Sequence, residues 1–368
     1  MSRLHLFNPE NDIALATDLP HFTPPRAAIQ LAESLATLPA WWADPDDLIL
    51  CSPGDTTWLR DNGLLVEAFN AGSKPSSVAP WGWSRYTRTL LARKGVDSSL
   101  LPSDAQLDDI RTLSHRRLTA EVYRLLSDDP LPYPLPPAPL ETDNITLIDS
   151  LLHESRSLFI KSPWSSSGRG IINTTTASPE QTLRLAQGVI RRQGSVMVEV
   201  ALDKVVDFAM LYDVTDSGVV FRGLSLFYNE AHSTYAGNIL GSPSFLNSLL
   251  CRYVDIDSVE ATKLSVADTL TRLLYGRYRG PVGVDMLVYR AADGSLCIAP
   301  CVEVNLRMTM GRVAHELHAR HLSAEFTGLM QLRHGNSPAD SDIYMRLNPP
   351  GHPFSMVIRA LSDADIAY

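Results

Sequence analysis

The sequence predicts a mixed α/β (α+β) protein with more than one domain, and three patterns point to this class. Short apolar strands alternate with amphipathic helices near the N-terminus, strand patterns crowd the middle, and a β-hairpin pattern spans residues 281–307. Alternation is typical of a doubly wound domain, whereas adjacent strand patterns indicate an antiparallel sheet. The length of 368 residues suggests two or three domains with a large buried core.

Composition limits the classes of function. The net charge of −9 argues against a nucleic-acid binder, although it leaves room for a local basic site. Four scattered cysteines are too few for a disulfide framework. The polar N-terminus does not resemble a signal peptide, and no apolar run reaches membrane-spanning length. We therefore expect a cytoplasmic protein with small-molecule partners, and no nucleic-acid or membrane partner; a homodimer stays open.

The N-terminal segments read as a small doubly wound domain. Leu4–Phe7 predicts a strand that ends in the polar loop Asn8–Asp12, a position where α/β domains often contact ligands. Ala27–Leu38 has helical spacing, Asp47–Cys51 predicts a second strand, and Ser84 is a candidate cap for a helix that reaches about residue 93. These loops are candidates for substrate contact, and structural turns are the alternative.

The next segments lead to a candidate anion site. Asp104–Leu126 is mainly helical, and the proline-dense segment 127–141 predicts a stiff connector. An apolar strand then delivers Lys161 to a loop of small and hydroxylic residues: Ser165, Ser166, Ser167, Gly168, Arg169 and Gly170. Such a loop lets backbone N–H groups approach an anion, and the lysine adds a charge. The order strand–loop–strand differs from a Walker loop.

A second group of strands follows a helix that Ser178 is expected to cap. The strand at 195–201 contains Glu199, and the strand Val205–Val214 contains Asp207 near its start. A polar loop at 228–243 carries His232, Tyr235 and Asn238, which are candidates for substrate contact.

The hairpin pattern at 281–307 carries the most chemistry. Two apolar runs flank an Asp293-Gly294 turn, and three polar side chains interrupt them: Asp285, Glu303 and Asn305. Glu303 and Asn305 point to one face of a strand, and pairing across the turn could bring Asp285 close to both. Carboxylate and amide oxygens suit Mg²⁺. Ordinary polar residues at strand ends are the alternative, and Arg307 could meet an anion beyond them.

The order of these features resembles the ATP-grasp superfamily. The resemblance covers roughly residues 113–335 and rests on KSPWSSSGRG, on the strand with Glu199, and on GVD…EVNLR. It implies two α+β subdomains that clasp ATP, preceded by a small Rossmann-like α/β domain. The implied divisions are 1–112, 113–194 with the phosphate loop, 195–335 with the hinge and metal hairpin, and 336–368 as an extension that packs on the core.

The resemblance also implies roles for individual residues. Lys161 would contact the α- and β-phosphates, and the loop Ser165–Gly170 would close over the β- and γ-phosphates. Adenine would meet the backbone at the hinge residues Glu199, Val200 and Leu202, and Asp207 would bind the ribose. Asp285, Glu303 and Asn305 would hold Mg²⁺, with Mn²⁺ as an alternative. Arg307 would meet the γ-phosphate or an acyl phosphate.

Two positions depart from the pattern of the superfamily. The usual lysine ahead of the proline-rich connector is matched by Arg116, with Arg117 as the alternative register. Arginine keeps the charge but replaces a point charge by a planar fork. The ribose carboxylate is usually Glu and one residue nearer to the hinge, so Asp207 needs a small bulge around residues 203–204.

The implied activity is an ATP- and Mg²⁺-dependent carboxylate–amine ligase that forms ADP through an acyl phosphate. A phosphotransferase on the same fold and a non-catalytic nucleotide-binding protein are the alternatives. A separate possibility is a metal site in HELHARH, where His315, His318 and His321 repeat at three-residue intervals. That spacing differs from the HExxH pattern of zinc enzymes, and a solvated helix is the alternative.

Overall fold

The computed structural model describes most of the chain. The described residues are 2–129, 131–154, 157–165, 170–230, 234–335, 342–362 and 365. They form three β-sheets with helices packed against them. No helix in these ranges is long and apolar enough to cross a membrane.

The N-terminal sheet is parallel and has four strands in the order β3-β2-β1-β4. Its strands are β1 (Arg3–Leu6), β2 (Leu48–Ile49), β3 (Glu67–Ala68) and β4 (Ser77–Pro80). The helices of this region are α1 (Asn11–Thr17), α2 (Arg26–Ser34), α3 (Asp55–Asp61) and α4 (Arg85–Arg93). Alternating strands and helices thus form the parallel α/β sheet that the sequence predicted. The helix expected to reach Leu38 ends at Ser34, and a separate 3-10 turn follows at Leu38–Trp41.

The helical stretch predicted from Asp104 to Leu126 is two helices, α5 (Asp104–Leu113) and α6 (Arg117–Asp128). The break at residues 114–116 has a tertiary cause. The backbone N–H of Arg116 donates to the carbonyl of Pro163 at 3.1 Å, and the His115 side chain is buried against Trp164. These contacts turn residue 116 toward the second sheet instead of continuing the helix.

The second sheet is antiparallel, with the strand order β5-β8-β6-β7. Its strands are β5 (Leu140–Thr142), β6 (Leu158–Lys161), β7 (Ile171–Asn173) and β8 (Val196–Val200), and its helices are α7 (Ile145–Glu154) and α8 (Pro179–Gln193). The Ser178 hydroxyl accepts from the N–H of Gln181, as expected for an N-cap. The helices and the sheet share a separate apolar cluster that includes Ile148, Ile160 and Val198.

The third sheet has eight strands in the order β13-β12-β9-β10-β11-β14-β16-β15. Its strands are β9 (Asp203–Thr215), β10 (Gly218–Glu230), β11 (Thr234–Leu240), β12 (Gly280–Arg290), β13 (Leu296–Asn305), β14 (Gly328–His334), β15 (Ile343–Arg346) and β16 (Phe354–Ala360). The helices of this part are α9 (Pro243–Leu250), α10 (Ile256–Leu274) and α11 (Met310–His321).

The hairpin prediction is confirmed, because β12 and β13 pair antiparallel across the turn, where Gly294 has φ +87°. The register shifts between Asp285 and Leu287, where β13 has two extra residues around Pro300. Proline lacks the N–H that a ladder needs, so an irregularity at this point is expected.

A shared apolar core joins the two ends of the chain. Residues of the N-terminal region, including Phe7, Trp41 and Trp81, pack with Leu317 of α11 and Met330 of β14. Phe7, directly after β1, and Met308, shortly after β13, both belong to this core, so the polar segments that follow the two strands come together.

Candidate functional site

The predicted metal ligands converge at the base of the hairpin. Asp285 lies directly opposite Glu303, Gly283 lies opposite Asn305, and the Asn305 amide donates to Asp285 at 3.0 Å. Burial, followed by the charge of Glu303, raises the pKa of Asp285 to about 7. Like charges directly opposite on a sheet repel each other, and a cation between them relieves the repulsion. Two carboxylates and an amide oxygen at this position fit a hard divalent cation.

The histidines of α11 serve other contacts. The Nε2 atoms of His318 and His321 lie 3.1 Å and 2.9 Å from the carbonyls of Phe326 and Trp41. A carbonyl only accepts, so both nitrogens carry hydrogen and cannot bind a metal in this state. Within the described residues, no three His, Cys, Asp or Glu side chains form a group suited to a metal. These contacts give no support to the zinc interpretation.

Lys161 ends β6 beside the predicted phosphate loop. Its Nζ lies 2.5 Å from Glu199 Oε2, and both side chains are mostly buried. The base of the loop is closed by a bond of 2.8 Å from the Ser162 N–H to the Gly170 carbonyl, and Gly170 has φ +75°. Ser166, Ser167, Gly168 and Arg169 lie outside the described residues.

The two arginines left open by the sequence point in different directions. Arg116 is buried, and its Nη1 donates at 2.6 Å to both the Ser162 carbonyl and the Ser165 hydroxyl. Its Nη2 donates to Glu303 at 2.8 Å. Arg117 is half-exposed and binds Glu141. Arg116 is therefore the arginine that joins the loop to a candidate metal ligand.

The residues matched to the hinge and to the ribose carboxylate line one cavity: Glu199, Val200, Leu202 and Asp207. Asp207 lies opposite Leu287, and Ala209 lies opposite Asp285, so Asp207 and Asp285 share one face of the sheet. Lys204 Nζ lies 2.6 Å from Asp207. The register between β9 and β12 shifts by one residue at Val205, close to the bulge expected around residues 203–204.

Arg307 makes a contact that no local pattern predicted. Its Nε lies 3.0 Å from both oxygens of Asp12, and its Nη2 lies 2.7 Å from Asp12 Oδ2. Its Nη1 donates to the carbonyl of Met308 at 3.1 Å. The two paired residues are 295 positions apart in the sequence. Sequence reasoning named both as candidates for substrate contact but could not pair them.

The sequence predicted a loop over Asn8–Asp12, but its last two residues begin α1, and the other residues of this segment are mostly structural. Asn8 is buried and its amide donates to the Gly82 carbonyl and to the Thr87 hydroxyl. Glu10 is also buried, and burial raises its pKa to about 7. Pro9 and Asp12 are the two members of this loop that line the cavity.

Tyr235 and Asn238 line the same cavity and form a hydrogen-bonded chain. The Tyr235 hydroxyl donates to Asn238 at 2.5 Å, and the Asn238 amide donates to the Ser225 hydroxyl at 2.7 Å. A Cβ at Gly311 would lie 2.4 Å from that hydroxyl, so α11 can approach β10 only with glycine here. No sequence pattern indicated Ser225. His232 lies outside the described residues.

One cavity of about 600 Å³ is lined by strands of the second and third sheets and by helices and loops of the N-terminal region. That volume is in the range of small-molecule and cofactor sites. Asp12, Lys161, Glu199, Asp285 and Arg307 all face it. The arrangement thus brings cations, metal-ligand candidates and apolar walls to a single space.

Comparison with known proteins identifies the fold but not a close relative. No family model and no curated protein matches the sequence. Among solved structures, N5-carboxyaminoimidazole synthetase from Staphylococcus aureus in complex with ADP has a TM-score of 0.53 at 13% identity; the match covers 98% of this chain and 94% of the synthetase.

Two carboxylases are similar to the same extent. Biotin carboxylase from Campylobacter jejuni matches with a TM-score of 0.52 at 11% identity, over 99% of this chain and 89% of its own. The biotin carboxylase domain of the Hydrogenobacter thermophilus 2-oxoglutarate carboxylase matches with a TM-score of 0.50 at 10% identity, over 98% of this chain and 86% of that domain. Such low identities establish the fold and not the activity. Across nearly its whole length the chain matches ATP-grasp enzymes in structure, and its fold is the ATP-grasp fold.

Proposed function

We propose that the chain is an ATP- and Mg²⁺-dependent carboxylate–amine ligase that releases ADP. The observation that carries the proposal is the convergence of Asp285, Glu303 and Asn305 at a cavity that Lys161 and Arg307 also line. Glu303 is paired with Arg116, but the bonded partner of Asp285 is the neutral amide of Asn305, and a structural role alone does not account for a buried carboxylate held in this way.

ATP is assigned to the nucleotide end of the cavity, defined here by Phe159, Lys161, Glu199, Leu202 and Asp207. The backbone at residues 199, 200 and 202 is assigned to adenine, and Asp207 to the ribose. Lys161 and Arg116 are the cations assigned to the phosphates, together with the loop from Ser165 to Gly170. Both cations are already paired with carboxylates, so the phosphates would bind through their remaining N–H donors or displace those carboxylates.

The reaction joins two anions, and the residues of this chain would screen their repulsion. An oxygen of the substrate carboxylate attacks the γ-phosphorus, the bond to the β-phosphate oxygen breaks, and ADP leaves. An amine then attacks the acyl carbon, phosphate leaves with the bonding electrons, and the amine loses a proton. Mg²⁺ (or Mn²⁺), when held by Asp285, Glu303 and Asn305, neutralises phosphate charge. Lys161 and Arg307 would fix the reacting groups in line.

The four divisions inferred from the sequence form part of the proposal. Residues 1–112 and the ends of β13 and β14 would supply the walls for the second substrate. Residues 113–194 would cover the phosphates, residues 195–335 would carry the hinge and metal hairpin, and residues 336–368 would complete the core. The partners on this view are small molecules.

Calorimetry with ATP, followed by ADP release from a panel of carboxylates and amines, tests the proposal. We expect ATP binding that requires Mg²⁺ for turnover, and ADP release that depends on both a carboxylate and an amine. A phosphorylated product formed without consumption of amine would instead identify a phosphotransferase. ATP binding with no turnover across the panel would favour a non-catalytic nucleotide-binding protein.

A further inference from the structure

The cavity continues beyond the metal-ligand candidates into a second end with apolar walls. We call this the acceptor end and define it by Ala28, Leu31, Trp81, Met310, Leu332 and Phe354. The Met308 N–H donates to the Trp81 carbonyl at 2.8 Å, which sets this tryptophan beside Arg307. The Phe354 N–H lies 3.4 Å from the Ser34 hydroxyl, which brings the start of β16 to the end of α2.

Charge is sparse at the acceptor end. Six of the eight charged residues that line the cavity within the described ranges belong to the nucleotide end or to the metal hairpin: Lys161, Glu199, Lys204, Asp207, Asp285 and Glu303. The other two are Asp12 and Arg307, which are bonded to each other and are 15% and 17% exposed. The acceptor end therefore offers one positive and one negative group side by side.

The geometry of Arg307 leaves a defined edge free for an anion. Asp12 takes the edge formed by Nε and Nη2, and Nη1 also donates to the Met308 carbonyl. A guanidinium has five N–H donors, so with respect to the described residues one hydrogen remains on each terminal nitrogen. These hydrogens can donate to a carboxylate. Asp12 keeps lone pairs that can accept from a cation.

We infer that the carboxylate substrate of the proposed ligase is an apolar α-amino acid. This inference rests on the proposed function. The substrate carboxylate binds the free edge of Arg307, its ammonium group binds Asp12, and its aliphatic or aromatic side chain lies among Leu31, Trp81 and Phe354. The carboxylate and ammonium groups of a zwitterion can bind Arg307 and Asp12, respectively. An acid without an ammonium group provides no partner for Asp12, which then contacts Arg307 only.

The alternatives fit less well on physical grounds. A phosphorylated acceptor would bring two or more negative charges to a single arginine that is already paired. A dicarboxylic amino acid would bury a second carboxylate against apolar walls. Both arrangements are unfavourable, because a buried charge needs a partner.

Acid activation is the direct test. The full-length protein is incubated with MgATP, hydroxylamine and one acid, and both ADP and the hydroxamate are measured. Hydroxylamine attacks an acyl phosphate, releases phosphate and leaves a hydroxamate, so it reports which acid is activated. We expect leucine and phenylalanine to exceed 4-methylpentanoate and 3-phenylpropanoate by at least about 10-fold in kcat/KM, the loss typical of one charge-assisted contact. Aspartate and O-phosphoserine should give no hydroxamate.

The variant Asp12→Asn separates recognition from folding. Asp12 also holds Arg307, which both acids use, so the contact with the ammonium group is read from the ratio of KM values: we expect the KM for leucine to rise by about 10-fold or more relative to that for 4-methylpentanoate. A general structural defect would affect both acids alike, and the Kd for ATP provides a second check on the fold. Binding of phenylalanine in the presence of MgADP, measured by calorimetry, should weaken in the same variant.

The possible failures are distinguishable. Equal activation of the amino acids and their deamino analogues would overturn the zwitterion assignment and leave the ligase intact. Preference for the phosphorylated or dicarboxylic acids would do the same. ATP binding without hydroxamate from any acid would overturn the ligase proposal and this inference with it.

Discussion

The nucleotide end and the acceptor end of the cavity are built in opposite ways. At the nucleotide end, Lys161 pairs with Glu199 and Lys204 with Asp207, each within or between neighbouring strands. At the acceptor end, the pair Asp12–Arg307 joins segments 295 residues apart. The contacts of the nucleotide end lie within short sequence motifs. Those of the acceptor end depend on how the N-terminal region packs on the third sheet. Local motifs therefore predict the proposed nucleotide contacts more readily than the proposed acceptor contacts.

The largest effect is expected at the hairpin between the two ends. Asp285→Asn should lower Mg²⁺-dependent ADP release by about 100-fold or more, because it removes a charged metal ligand. The same change should leave the melting temperature equal or higher, since it removes a like charge opposite Glu303. Activity assays and thermal unfolding measure the two effects.

Glu303→Gln provides the matched comparison at the hairpin. It should lower activity similarly but also lower stability, because Glu303 is the partner of Arg116. Near-normal turnover in both variants would remove the metal assignment.

Lys161→Ala should weaken ATP binding by about 10-fold, because one charge-assisted contact is lost and Glu199 remains unpaired near the phosphates. Calorimetry measures the change in Kd. Lys263→Ala is the control, since Lys263 pairs with Glu260 within α10 and does not line the cavity. Equal affinities in Lys161→Ala and in the unaltered protein would contradict the phosphate assignment.

The two neighbouring arginines allow the same substitution to be compared. Arg116→Lys should lower the free energy of unfolding by about 1–3 kcal/mol. The single ammonium group of a lysine cannot reproduce the hydrogen bonds that the planar guanidinium makes to Ser162, Ser165 and Glu303. Arg117→Lys should change it by less than about 0.5 kcal/mol, as an exposed ion pair contributes little. Denaturant titrations that gave both variants the same stability would refute the assignment of Arg116 to the interior.

A further predicted effect is a dependence of stability on pH. Burial, and then the charge of Arg117, lowers the pKa of His115 from 6.5 to about 4. The unfolded chain then binds more protons than the folded chain between these values, so stability falls as the pH drops from about 6.5 toward 4. His115→Asn should reduce the slope of the free energy of unfolding against pH. His153→Asn should leave that slope unchanged, because the His153 side chain is 75% exposed. Parallel slopes in all three proteins would exclude His115 as the cause.

Residues whose position depends on their neighbours in the sequence could be predicted from local patterns. Alternation with a period of two placed Glu303 and Asn305 on one strand face, and the Asp293-Gly294 turn fixed which strand pairs with it. The register near the turn, continued without a shift, would place Cys301 opposite Asp285; the two extra residues around Pro300 bring Glu303 to that position instead. The position of Lys161 at the end of a strand was readable for the same reason, since it depends on neighbours in sequence.

By itself, then, the sequence determined that an N-terminal α/β region is followed by a distinct antiparallel region, and it determined the hairpin with its candidate oxygen ligands and the resemblance to the ATP-grasp fold. Only the tertiary structure decided that Arg116 and not Arg117 turns inward, because the contact with Pro163 breaks the helix at that point. It also decided that Asp12 holds Arg307 and that apolar side chains from both ends of the chain close the acceptor end. The physical reason is that periodicity fixes which face a side chain occupies, whereas long-range packing fixes what that face meets.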